Sequence, residues 1–244
     1  MNVLCVIPAR YASTRLPGKP LKDIAGKPMI CRVYERAAKA SRVAAAIVAT
    51  DDSRIYDAVL QHGGKAVMTR KDHPTGTDRL AEVAEKYQDV DLIINVQGDE
   101  PLIEPKLIDE LAAAFDGDAD LQMATVCTEI TDEAEQQNPN NVKVVMDKQG
   151  YALYFSRSLM PYPRHPGTPV YKHIGIYAYK RDFLLAYAKM AETPLEHAES
   201  LEQLRALENG YRIKVIKTPY RFVGVDTAED LAKVNAIYRQ MMQG

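Results

Sequence analysis

Arg10, Arg15 and Lys19 place three cations within ten residues of one another, in Pro8-Ala9-Arg10-Tyr11-Ala12-Ser13-Thr14-Arg15-Leu16-Pro17-Gly18-Lys19-Pro20. The same stretch offers hydroxyls, among them Ser13, and a glycine that lets backbone approach a ligand. A triphosphate needs that combination of charge, donors and close main-chain contact. A solvated surface loop with scattered charges has the same composition. The stretch is neither a Walker A sequence nor GxGxxG. Carboxylates stand elsewhere. Asp99 lies in Asn95-Val96-Gln97-Gly98-Asp99-Glu100-Pro101, after an apolar run, and Asp226 follows Phe222-Val223-Gly224-Val225. Such hard oxygen donors suit Mg²⁺, which takes one or two carboxylates plus substrate phosphates. Asp99 can equally form a turn before Pro101. Asp226 precedes Thr227-Ala228-Glu229-Asp230, which has capping-box spacing, so it can instead help to start a helix. Arg70 and His73-Pro74-Thr75-Gly76-Thr77-Asp78-Arg79 form a further cluster. Glycine and hydroxyls at a helix start can donate to a base, ribose or phosphate, and Thr75 with Asp78 also fits an ordinary cap.

The elements that must position these groups follow an alternating pattern. Short β-branched runs at Val3–Ile7, Ala46–Thr50, Lys65–Thr69, Leu92–Val96, Gln122–Cys127 and Asn141–Met146 alternate with amphipathic segments. That is the mark of a mostly parallel sheet with crossover helices. Gly76–Tyr87 sets Leu80, Val83, Ala84 and Tyr87 on one helical face, and Ile55–Gln61 and Pro105–Phe115 read the same way. The cationic stretch then follows the first strand at its carboxyl end, where open α/β sheets bind ligands. After Gly150 the pattern is less regular. Strands are expected at Tyr151–Ser156, His173–Tyr179 and Arg212–Thr218, with a Pro-rich loop at 160–169. A helix is expected near Ser200–Glu208, and a closing one from Thr227 to Met242 with Leu231, Val234, Ile237, Tyr238 and Met241 facing the core. The expectation is one α/β domain, with a nucleotide-binding core at 1–150 and 212–244 and an inserted β-rich portion at 151–211.

Of the 244 residues, 46% are hydrophobic and 26% charged, enough to build a core, and the net charge of -2 gives no reason to expect nucleic acid or a membrane as partner. Cys5, Cys31 and Cys127 are far apart and odd in number, so buried free thiols in a reducing compartment are expected. The amino terminus shows no basic region and no apolar run of spanning length, which places the chain in the cytoplasm.

From Ile7 through Leu21, and again at Gly26-Lys27-Pro28-Met29-Ile30, the sequence resembles the opening of the CMP-Kdo synthetases, the 3-deoxy-manno-octulosonate cytidylyltransferases. Blocks at His73–Arg79, Asn95–Pro101, Asn138–Val145, Tyr151–Arg157, His173–Tyr179, Leu201–Arg205 and Val223–Leu231 match in the same order. The resemblance thus covers nearly the whole chain. It implies a Rossmann-like nucleotidyltransferase fold of the GT-A type, and transfer of CMP from CTP to the anomeric hydroxyl of Kdo (3-deoxy-D-manno-oct-2-ulosonate), with release of pyrophosphate.

By the same resemblance, Asp99 and Asp226 hold magnesium at the α-phosphate, while Arg10, Arg15 and Lys19 meet the outer phosphates. Ser13 and Arg79 belong to the nucleotide set. Arg70, Thr75, Gly76 and Gln97 lie near cytosine and ribose, and backbone at Pro8 and Ala9 completes the pyrimidine pocket. Arg157 meets the sugar carboxylate, and His173, Tyr177, Glu202 and Gln203 surround the sugar hydroxyls. The family usually has Ser where this chain has Thr75, and the loop Pro161–Tyr171 is shorter than in many relatives. A homodimer through the β-rich half and a place in lipopolysaccharide assembly are also implied. The alternatives are another acidic sugar, 8-amino-Kdo or sialic acid, a glycosyltransferase that uses a sugar nucleotide on a similar sheet, and a nucleotide-binding regulator without turnover.

Overall fold

The computed structural model describes residues 1–12, 16–165, 167–220 and 222–242. It is a mixed α/β fold on a mostly parallel central sheet, and its contacts divide the chain into two compact units, 1–109 with 222–244, and 110–221. The division falls inside a helix at its first boundary, whereas the change of sequence pattern falls at Gly150.

The first unit contains β1 (Val3–Ala9), a hairpin of β2 (Asp23–Ile24) and β3 (Lys27–Pro28), α1 (Met29–Ala37), β4 (Ala45–Thr50), α2 (Ser53–Gln61), β5 (Ala66–Met68), α3 (Gly76–Lys86), β6 (Leu92–Asn95) and the start of α4 (Pro105–Ala113). Strands β6, β1, β4 and β5 lie side by side, all parallel. Their near-continuous apolar runs are what a sheet covered on both faces requires. Register pairs Val6 with Asn95 across β1 and β6. The loops that leave these two strands therefore emerge next to each other, bringing residues after Ala9 beside residues after Asn95. The sheet explains the neighbourhood; Gly98 explains how close it is. A Cβ there would lie 2.8 Å from the Pro8 carbonyl oxygen, so only glycine permits the contact without a shift.

In the second unit, β7 (Met123–Ile130) is followed by α5 (Glu133–Gln137), β8 (Lys143–Met146), β9 (Ala152–Ser156), β10 (Val170–Lys180), α6 (Arg181–Tyr187), α7 (Pro194–Glu199), α8 (Gln203–Glu208) and β11 (Ile213–Lys217). Strand β7 pairs parallel with β11 and antiparallel with β10, and β8 pairs antiparallel with β10 and β9. The register shifts between Ile174 and Tyr177, which face Val126 and Thr125. Two extra residues, Gly175 and Ile176, are accommodated there. An even insertion keeps the alternation, so His173, Tyr177 and Tyr179 still share a face as their spacing predicts.

The last helix, α9 (Ala228–Met241), belongs to the first unit. Val234 and Tyr238 pack with Val225, Ile24 and Met29, and Leu231 adds to this cluster. Asn235 fastens the helix to the hairpin, accepting from the Ala25 N–H at 2.9 Å and donating to the Asp23 carbonyl at 2.9 Å. The Tyr238 hydroxyl donates to the Pro101 carbonyl at 2.5 Å. These contacts are why a residue near the end of the chain can stand beside residues near its start. One expectation fails: Met241 is 55% exposed, because the helix leaves the core after Tyr238. Helices α1, α5, α6 and α7 are absent from the sequence-based reading. Each is short, and α1 and α6 open without a side-chain cap hydrogen bond to mark them.

Candidate active site

Within the first unit, a cleft of about 360 Å³ opens at the carboxyl ends of β1 and β6, lined by Pro8, Ala9, Arg10, Lys19, Gln97 and Asp99 among others. Its size lies within the range of small-molecule sites. Lys19 sits at the start of a 3-10 turn, just after Gly18, whose φ of 66° is the left-handed conformation that glycine adopts freely. Tyr11 lies against that glycine, with Arg54 stacked 3.4 Å from its ring centroid. The Lys19 ammonium donates to Asp99 Oδ2 at 2.7 Å and to Asp226 Oδ1 at 3.1 Å. Burial alone would lower its pKa, but the charges and hydrogen bonds of Asp99 and Asp226 outweigh this and hold it above the ordinary lysine value.

Asp226 and Thr227 divide the roles that the sequence left open. Thr227 is the N-cap of α9 and forms the capping box with Asp230, while the Asp226 carboxylate turns to Lys19. The Val225 N–H donates to the Asp99 carbonyl at 2.9 Å, tying the two carboxylate-bearing segments together. Both aspartates are thus held by backbone and converge on one cation.

Arg10 donates from Nη2 to the carbonyls of His73, at 2.7 Å, and Thr75, at 3.2 Å, joining the first loop to the segment before α3. Thr75 caps α3 in a full capping box with Asp78, the ordinary role its spacing allowed, and Gly76 opens the helix. Glu82 anchors this loop. It accepts from the Arg70 N–H at 2.9 Å, contacts His73 Nε2 at 2.6 Å and bonds Lys86 at 2.8 Å. Burial opposes ionisation of Glu82, yet these partners bring its pKa down to about 2. Arg70 is exposed and pairs with Asp72 at 3.4 Å. Arg79 is wholly buried and holds Thr69 and, at 3.2 Å, Asp51. Its guanidinium thus bonds residues just beyond the ends of β4 and β5. Ser13 and Arg15 lie outside the described residues.

Within the second unit, the Arg157 guanidinium donates to the carbonyls of Glu199 at 2.7 Å, Pro139 at 3.2 Å and Ser200 at 3.3 Å. A guanidinium carries five N–H groups, so these bonds leave one on each terminal nitrogen for a further acceptor. Glu199 accepts from the Ser156 hydroxyl at 2.6 Å and the Arg157 N–H at 2.9 Å. Lys143 is buried and donates to the Arg157 carbonyl at 2.5 Å. Neither Glu199 nor Lys143 stands out in the sequence, because the contact of each with the 156–157 segment forms only on folding.

His173 is buried, and burial pushes its pKa down to about 3, so the ring is neutral at ordinary pH. Its Nε2 lies 3.0 Å from the Thr125 hydroxyl, which itself reaches the Ile176 carbonyl at 2.8 Å, inside the bulge. A hydroxyl has one proton. If it goes to Ile176, Nε2 is the donor and Nδ1 remains an acceptor, a tautomer assigned from the hydrogen bonds. His173 and Tyr177 have ring centroids 5.4 Å apart, and Tyr177 stacks on Tyr179 at 5.7 Å. Burial first, then the Glu202 charge, raises the Tyr177 pKa. Glu202 accepts through its carbonyl from the Tyr187 hydroxyl at 2.6 Å. Gln203 is 4% exposed, and its amide nitrogen has no hydrogen-bond partner among the described residues. An unsatisfied buried amide costs about 1–3 kcal/mol and is a natural point of contact for a polar ligand. Arg205 locks α8 to α7 through a two-bond pair with Glu196, at 2.8 and 2.5 Å.

A mostly parallel sheet with a cationic loop at a strand end and two converging carboxylates is in keeping with a nucleotidyltransferase, and residues 4–215 match the cytidylyltransferase family, to which the chain belongs. Within that class its kin are the 3-deoxy-manno-octulosonate cytidylyltransferases. The chain is 58% identical to the one from Fusobacterium nucleatum, over 96% of each chain, and 54% identical to the one from Geobacter metallireducens, over 96% of each. A solved CMP:2-keto-3-deoxy-manno-octonic acid synthetase complexed with CTP is 49% identical, with a TM-score of 0.95, covering 99% of this chain and 100% of its own. A 4-diphosphocytidyl-2C-methyl-D-erythritol synthase from Anaerococcus prevotii, 14% identical with a TM-score of 0.64, shares the fold alone.

Proposed function

We propose that this cytidylyltransferase forms CMP-Kdo, the anomeric hydroxyl of Kdo attacking the α-phosphorus of CTP as pyrophosphate leaves. The observation that carries this reading is the convergence of Asp99 and Asp226 on one cation beside the cleft, in a chain 58% identical to a 3-deoxy-manno-octulosonate cytidylyltransferase. Backbone at Pro8 and Ala9, with Gln97, forms the pyrimidine pocket, and Thr75, Gly76 and Arg70 lie toward the ribose. Arg10, Arg15 and Lys19 hold the outer phosphates and steady the departing pyrophosphate. Such a displacement needs positioning and charge neutralisation more than a covalent nucleophile.

Magnesium fits Asp99 and Asp226. Their oxygens both lie within hydrogen-bond reach of one ammonium, which stands where a cation is wanted, and two carboxylates plus phosphates are its usual ligands. Bound there, the ion supplies charge to the α-phosphate and lowers the pKa of the attacking hydroxyl.

On the sugar side, the two remaining N–H groups of Arg157 take the Kdo carboxylate, while the neutral His173 ring and Tyr177, together with Glu202 and Gln203, take its hydroxyls. The unpaired Gln203 amide supports this role. The core at 1–150 and 212–244 serves the nucleotide, and 151–211 serves the sugar and a homodimer contact. Exposed Leu153 and Tyr162 supply apolar surface for that contact. Among the described residues no helix is long and apolar enough to cross a membrane. The product feeds lipopolysaccharide assembly from the cytoplasm.

The test is pyrophosphate release from CTP and Mg²⁺ with Kdo, 8-amino-Kdo and sialic acid supplied separately. Release with Kdo and with neither other acceptor is expected. Faster release with 8-amino-Kdo or sialic acid moves the assignment to that sugar. Binding of CTP without release from any acceptor leaves the regulator.

A further inference from the structure

The Lys19 ammonium occupies the point on which Asp99 and Asp226 converge, at 2.7 and 3.1 Å. The surrounding backbone is pinned. Lys19 donates its N–H to the Leu16 carbonyl at 3.1 Å and accepts from Lys22 at 3.1 Å, while Val225 bonds Asp99 and the Asp226 N–H donates to Asp230 at 3.1 Å. What can move is the four-carbon lysine stem. A divalent ion using the same two oxygens would meet a positive charge within a few ångströms, and like charges so placed repel. For the ion to enter, the ammonium must leave, and it leaves at least cost if another anion receives it. Lys19 also lines the cleft with Arg10, where a triphosphate is to lie.

We infer that Lys19 is a displaceable counter-ion that makes metal binding conditional on the nucleotide: without a triphosphate it holds the two carboxylates, and with one it turns to the phosphates and vacates them. The inference rests on the reading of Asp99 and Asp226 as metal ligands. It assigns Lys19 a positioning role that contact with phosphate alone does not require. Linkage makes the effect reciprocal, so CTP strengthens metal binding by the factor by which metal strengthens CTP binding. In the empty site the same ammonium keeps the two carboxylates from repelling each other.

The experiment is titration of Mn²⁺, read as free ion by its EPR signal, into the full-length protein without and with CTP. The set comprises wild type, Lys19→Met, Lys19→Arg and Asp99→Asn, each checked for folding by circular dichroism. Wild type is expected to bind Mn²⁺ weakly alone, and Lys19→Met about tenfold more tightly, about 1.4 kcal/mol. Lys19→Met also gains less from CTP. Lys19→Arg keeps the charge and therefore the weak binding of wild type, which a merely structural role for the lysine would not predict. Equal Mn²⁺ affinity in wild type and Lys19→Met, with binding lost in Asp99→Asn, overturns the inference and leaves the metal ligands standing. Binding that persists in Asp99→Asn overturns the ligand assignment itself, and the inference with it.

Discussion

At the ends of β1 and β6 the groups proposed to work are ions held by ions, partly open to water: Asp99 and Asp226 have side chains 33% and 45% exposed, and Lys19 bridges them. Along β10 the corresponding groups are neutral and enclosed. Phe155, His173, Tyr177, Tyr179, Tyr187 and Phe183 follow one another with ring centroids 5.0–6.1 Å apart. The ions suit a polyanion and its metal, where charge supplies most of the binding. The neutral groups suit a polyol, where each hydroxyl needs a donor or acceptor at a fixed place and a stray charge would be costly to bury. Arg157 and Glu202 are the charged members of the set in the second unit, and Arg157 is the one proposed to take the single charge the acid sugar carries.

The contrast is broken most sharply by removing one ion. Asp99→Asn keeps the size of the side chain and removes the charge, and pyrophosphate release from CTP and Kdo is expected to fall by roughly 10³-fold or more. Circular dichroism should stay unchanged. A fall of less than tenfold would mean that the first unit does not work by charge at this carboxylate. Arg157→Lys is the matching change on the sugar side. It keeps the positive charge but loses the fork, and the KM for Kdo should rise by roughly 10–100-fold with the KM for CTP unaltered. An equal rise in both would detach Arg157 from the sugar.

The two regions were also unequally legible. The cationic loop, Asp99 and Asp226 could be found because charge and turn residues are visible in a sequence, and parallel strands fix where such loops emerge. Arg79 shows the limit. It is as cationic as Arg10, and only folding shows that it is buried against Asp51 and Thr69 while Arg10 lines the cleft. On β10, the alternation that groups His173 with Tyr177 holds only because the bulge takes an even number of residues. Thr125, which fills that bulge, carried no signal at all. Glu199 and Lys143 were invisible for the same reason, since their contacts with Ser156 and Arg157 arise only on folding.

Gly98→Ala tests the packing that sets the nucleotide side. The added methyl meets the Pro8 carbonyl at 2.8 Å, so β1 or the 97–99 loop must shift. A loss of roughly 2 kcal/mol in urea unfolding is expected, together with weaker CTP binding. Full stability with unchanged CTP affinity would show that the loop yields freely, and that the close approach of the two strand ends is not what positions the cleft.

The smallest effect separates the units by pH. His173 has a folded pKa of about 3, below the ordinary 6.5, so the unfolded chain takes up its proton first and stability falls as pH drops from about 6.5 toward 3. Glu82, in the first unit, is depressed from 4.5 to about 2, so its contribution is intact above pH 4.5 and is lost as pH falls toward 2. The windows overlap only below pH 4.5. Between pH 6 and 5 the histidine acts without the glutamate, and it should cost about 1 kcal/mol of stability, read as a shift in the urea midpoint. His173→Gln removes the titrating group and should flatten that interval, even if the variant is less stable throughout. Glu82→Gln should leave the interval unchanged and alter the curve only in stronger acid. The same slope between pH 6 and 5 in wild type and His173→Gln would mean that the ring is not held neutral by its surroundings, and the second unit would lose the property that most distinguishes it from the first.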